Sequence, residues 1–181
     1  MFETLLIKLA TALQQAGIPY MVIGGQAVLQ YGEPRLTRDI DITLGVDSDR
    51  LSDVLALAQQ IGLQPAVENV ESFVKTTNVL PVSEEATGIR VDLVFSFSQY
   101  EQAAIEHANP ISVGNSFVRY ANVEDTIIHK IVAGRPRDLE DVKGMLTRHP
   151  NHDAAYIEKW LKSLGQSLTI DLIARFKSIS Q

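Results

Sequence analysis

Between Asp39 and Leu44 the chain reads Asp-Ile-Asp-Ile-Thr-Leu, polar and apolar in strict alternation. Alternation of period two is the signature of a half-buried β-strand, because residues two apart in a strand share a face. Ile40 and Ile42 therefore point into a core, and Asp39 and Asp41 stand side by side on the other face. Two carboxylates next to a hydrophobic layer repel and raise one another's pKa. A hard divalent cation between their oxygens turns that repulsion into a binding site, and magnesium is the usual occupant where phosphates are also present. An isolated Asp-x-Asp is most often a solvated pair, so the weight rests on what accompanies it.

Three features accompany it. Asp92 lies inside the otherwise apolar run Val91-Asp92-Leu93-Val94-Phe95. It reads either as an edge residue paired with Arg90 or as a third ligand delivered from a neighbouring strand. Three carboxylates on two adjacent strands can hold two divalent ions about 4 Å apart, the arrangement for in-line phosphoryl transfer. Gly24-Gly25 follows the short apolar run Tyr20–Ile23 and precedes a helix expected over 26–31. Glycines there let a phosphate approach the backbone, and the helix start supplies unpaired N–H groups. Arg35-Leu36-Thr37-Arg38 stands directly ahead of the acids and offers cationic and hydroxyl donors.

The rest of the chain alternates helical and extended patterns. Helices are expected over 2–16, stopped by Gly17, and over 51–61, stopped by Gly62. Extended runs are expected over 73–82 and 89–97, joined by a hairpin-like loop at 83–88. A short helix is expected over 99–108 and a β-ribbon over 111–120, turning near Gly114-Asn115. From Val123 every pattern is helical: 123–133, 136–148, 153–164 and 169–179. The expected fold is α/β, a small mixed sheet flanked by helices, with an all-α C-terminal subdomain. The expected division is a core of residues 1–121 and a helical part of 122–181.

Charge and composition narrow the function. With 16 Lys and Arg against 22 Asp and Glu, net −6, a general nucleic-acid coat is disfavoured. The chain has no Cys, which excludes thiol catalysis and zinc-thiolate sites and agrees with a cytoplasmic location. No apolar run nears the ~20 residues that span a bilayer, and Met1-Phe2-Glu3-Thr4 lacks the basic flank of a secretory signal. The basic residues concentrate late, in Lys130, Arg135, Arg137, Lys143 and Arg148, where the simplest reading is a helix of mixed charge facing water. His107, His129, His149 and His152 form no metal-ligand spacing, and Trp160 sits at helical spacing with Ile157, Leu161 and Leu164, as a core residue does.

Taken together, Gly24-Gly25, then 13 residues, then Asp39-Ile40-Asp41, then Asp92 resembles the nucleotidyltransferase superfamily with the polymerase-β-like fold. The longer string Ile23-Gly24-Gly25-Gln26-Ala27-Val28, with Arg35 to Ile42, is similar to the minimal bacterial nucleotidyltransferases related to AbiEii abortive-infection toxins. Those proteins also carry a lysine on a C-terminal helix followed by Arg-Asp-x-x-Asp, matched here by Lys130 and by Arg137-Asp138-Leu139-Glu140-Asp141.

The resemblance implies transfer of a nucleoside monophosphate from a nucleoside triphosphate to an acceptor hydroxyl, with release of pyrophosphate. It implies Mg2+, with Mn2+ as a substitute, held by Asp39, Asp41 and Asp92. Gly24, Gly25, Thr37, Arg38 and Lys130 would then face the nucleotide. The acceptor (RNA, protein or small molecule) and the oligomeric state stay open, as do the roles of Asp138 and Asp141. The alternative is a non-catalytic nucleotide-binding module of a toxin–antitoxin-like pair.

Overall fold

The structure is a computed structural model that describes residues 2–96 and 98–180. Its helices are α1 (Phe2–Gln15), α2 (Gly24–Tyr31), α3 (Leu51–Gln60), α4 (Val70–Thr77), α5 (Gln99–Glu106), α6 (Val123–Ala133), α7 (Pro136–Arg148), α8 (Ala154–Leu168) and α9 (Leu172–Lys177). Its strands are β1 (Tyr20–Ile23), β2 (Asp39–Leu44), β3 (Leu63–Pro65), β4 (Val79–Glu84), β5 (Arg90–Phe95), β6 (Asn109–Val113) and β7 (Ser116–Tyr120). The strands form one mixed sheet in the order β3-β4-β5-β2-β1-β7-β6. The pairs β2–β5 and β1–β7 are parallel and the other neighbours antiparallel.

Each face of the sheet packs against its own set of helices. On one face Ile40, Ile42 and Leu44 join α1, α3 and α4 in a hydrophobic cluster with Val91, Leu93 and Phe95. On the other, Met21 of β1 and Val28 of α2 pack with α5 to α9. The period-two pattern of β2 thus sets its orientation. Burying three aliphatic side chains contributes about 1.5–3 kcal/mol each. Repulsion between two carboxylates ~5 Å apart near a protein surface is about 3 kcal/mol. Burial wins, and the acids are held on the second face whether or not a partner is present.

Two segments differ from the sequence reading. Residues 73–77, expected as strand, are the second half of α4. Both ends of that helix are capped: Asn69 accepts from the Ser72 amide, and Asn78 takes the left-handed conformation at φ 55°. The threonines that suggested a strand are satisfied within the helix, Thr76 and Thr77 donating to the Ser72 and Phe73 carbonyls. The strand then begins only at Val79. The short edge strand β3 had no periodic signal, being three residues long and closed by Pro65. The run expected over 89–97 is strand through Phe95, and its end at Phe97 lies outside the described residues. Among the described residues no helix is long and apolar enough to cross a membrane.

Candidate active site

The register of β2 on its neighbours places the acids. Asp41 stands directly opposite Asp92 across the parallel β2–β5 pair, and opposite Ile23 on β1. Paired residues share a face, so Asp39, Asp41 and Asp92 all point to the same side of the sheet. They open into one cavity of about 570 Å³, which is also lined by Gly24, Gly25, Thr37, Arg38 and Lys130. Every residue the sequence pointed to is therefore brought to one place. Among the described residues no group of three His, Asp or Glu side chains forms a ready-made metal cage; the acids converge without closing on a common point.

Gly24 is required by conformation and contact, Gly25 by contact alone. Gly24 opens α2 at φ 63°, and a Cβ there would overlap the Asp41 carboxylate. A Cβ on Gly25 would overlap the Thr37 hydroxyl. The glycines are the first turn of α2 itself, where the sequence reading had placed them ahead of it. No side chain caps this helix start, whose two glycines line the cavity. Thr37 in turn donates to Asp39 Oδ1 at 3.2 Å.

Burial pushes Asp41 up to about 6, and the Asp39 and Asp92 carboxylates add to the rise; Lys130 and Arg135 partly offset it. Asp92 is also raised, first by burial; Arg90 acts against the rise and Asp39 with it. These are the electrostatics expected of carboxylates forced together around a space that a cation would fill.

Lys130, expected to face the nucleotide, lines the cavity and is also paired within the protein. Its ammonium donates to Asp138 Oδ1 at 2.8 Å and lies 3.2 Å from Asp141 Oδ2, with all three side chains buried. It is already balanced by two carboxylates. Arg135 also grips Asp138, through Nε at 2.6 Å. Burial alone would raise Asp138, but the hydrogen bonds from Arg135 and Lys130 hold it below the usual carboxylate range. Arg135 and Arg137 line the cavity, so this basic stretch faces the acids as well as bulk water. Their only sequence signal was the local excess of basic residues and the Arg-Asp-x-x-Asp pattern.

A mixed sheet, a helix opening on two glycines, and three aspartates on adjacent strands define the polymerase-β-like nucleotidyltransferase class. Solved structures share the fold. An antigenic nucleotidyltransferase-like protein from Paracoccidioides brasiliensis superposes with a TM-score of 0.58 at 19% identity, over 97% of this chain and 91% of that one. The antibiotic-resistance factor ANT(2'')-Ia gives 0.59 at 16% identity, covering 92% of each chain. The lincosamide antibiotic adenylyltransferase LnuA, solved with lincomycin bound, gives 0.53 at 17%, over 77% of this chain and 93% of that one. No curated protein matches by sequence. The profile of the family described as nucleotidyl transferase AbiEii toxin, type IV TA system, matches residues 9–181, and the chain belongs to that family.

Proposed function

We propose that the protein transfers a nucleoside monophosphate from a nucleoside triphosphate to an acceptor hydroxyl. The observation that carries this reading is the pairing of Asp41 opposite Asp92, with Asp39 on the same face and Gly24 packed against Asp41. The donor set fits Mg2+ or Mn2+: three hard carboxylate oxygen donors on one face, with Asp41 lifted first by burial and then by its two acid neighbours. Bound at Asp39, Asp41 and Asp92, such ions would supply charge neutralisation for the triphosphate and acidify the acceptor hydroxyl.

The chain's own groups do the rest. The N–H groups at the start of α2 hold the triphosphate against Gly24 and Gly25. The acceptor oxygen forms a bond to the α-phosphorus while the bond from that phosphorus to the bridging oxygen of the leaving group breaks. Asp92, on the strand beside Asp41, receives the hydroxyl proton, and pyrophosphate departs. Arg38 and Arg137 offset the charge growing on it. Lys130 holds α6 to α7 through Asp138 and Asp141, and adds its charge to the cavity it lines.

The experiment is incubation with each labelled triphosphate and cell lysate, with Asp39→Asn as control. Label should appear on one acceptor class with the wild type alone. A metal-triphosphate complex at ~100 times its dissociation constant should stabilise the fold by about 2.7 kcal/mol, and Asp39→Asn should lose most of that shift. Nucleotide binding without pyrophosphate release would replace this reading with that of a non-catalytic binding module.

A further inference from the structure

The loop of residues 32–38, between α2 and β2, runs antiparallel along α7 and is fastened to it at three points. Arg148 donates to Glu33 Oε1 through Nε at 2.9 Å and Nη2 at 2.8 Å. Arg35 Nε lies 3.1 Å from Asp141 Oδ1. Arg137 Nη2 donates to the Leu36 carbonyl at 3.4 Å. The three points differ in weight. The Arg148–Glu33 pair is exposed, its side chains 48% and 68% accessible, and such pairs contribute little. The Arg35–Asp141 pair is 19% and 8% accessible, and Asp141 also faces the Lys130 ammonium. The contact is close enough for strong attraction, yet Arg35 Nε is buried without an aligned hydrogen bond, so charge and proximity hold it.

From Arg35 the line to the acids is short. Thr37, two residues on, abuts Gly25 and donates to Asp39 Oδ1. We infer that Asp141 is a positioning residue: through Arg35 it sets where Thr37 and Arg38 stand, and so how the triphosphate is held. This rests on the proposed nucleotidyl transfer. It assigns to the helical C-terminal part a share in building the nucleotide site, although Asp141 need touch no substrate.

The test is Asp141→Asn, with Arg35→Gln and the double variant. The single variants should each raise KM for the triphosphate by about tenfold while kcat changes by less than about threefold. The double variant should be no worse than either single, the result expected when both act through one contact. Amide hydrogen exchange at residues 33–38 should speed up in Asp141→Asn relative to the wild type. An unchanged KM, additive single effects, or unaltered exchange would overturn the inference; a merely structural role would lower Tm and the active fraction with KM unmoved. Should the wild type show no turnover, the proposed function falls, and the exchange measurement still decides whether the clasp exists.

Discussion

Gly24→Ala separates two consequences that are usually entangled, because the same chain supplies its own control. Gly17 has nearly the same backbone angle, φ 64° against 63°, but nothing lies within 4 Å of the place its Cβ would take. Gly17→Ala therefore measures the left-handed strain alone, about 1–2 kcal/mol. For a chain of this size that is a fall in Tm of roughly 2–8 °C. Gly24→Ala carries the same strain and also collides with the Asp41 side chain. Asp41 can relieve the collision only by swinging its carboxylate away from Gly24, toward the two acids that already repel it. The stability loss should thus exceed that of Gly17→Ala only modestly, whereas turnover should fall about 100-fold, the scale of a displaced reacting group. Thermal melts and pyrophosphate release on both variants make the comparison. Gly24→Ala retaining more than about a tenth of wild-type turnover would refute the claim that the glycine exists to seat Asp41, as would an equal loss in Gly17→Ala.

Asp125 gives a pH test away from the cavity. It is fully buried, accepts from the Tyr156 hydroxyl at 3.0 Å, and burial pushes it up to about 6. A carboxyl whose folded pKa lies above its unfolded value costs stability once ionised: the penalty is absent below pH ~4, grows to pH ~6, and is full above it, at up to about 3 kcal/mol. Asp125→Asn should therefore raise Tm at pH 8 and leave it nearly unchanged at pH 4, and equal shifts at both would count against this. Lys130→Ala leaves two buried carboxylates without their shared ammonium and should destabilise by about 3–5 kcal/mol, seen as a shifted denaturation midpoint; a loss under about 1 kcal/mol would show that the trio is hydrated.

What the sequence disclosed follows from the range of each interaction. The orientation of β2 is local: Ile40 and Ile42 alternate with Asp39 and Asp41, and the pattern holds whatever surrounds it. That Asp92 lies opposite Asp41 is not local. It depends on β5 pairing in parallel beside β2, and one acid in an apolar strand says only that something unusual is there. The capped ends of α4 show the opposite failure. Phe73, Val74, Thr76 and Thr77 favour a strand by propensity, but Asn69 and Asn78 close a helix around them and Val74 alone is buried. Lys130 was legible as a cation on an apolar helix, whereas its two acid partners come from the next helix, past the left-handed corner at Gly134. The fastening of Leu36 by Arg137 joins groups 101 residues apart and leaves no trace in either segment.

The parallel alignment of β2 with β5 has a consequence for how the molecule comes into being. Parallel neighbours cannot be joined by a tight turn, so α3, β3, α4 and β4 must all be made before the two strands can align. The loop ahead of β2 then waits for α7, which the ribosome delivers later still. A nascent polypeptide holds its acidic residues apart through much of synthesis, and the site is complete only when translation has passed α7.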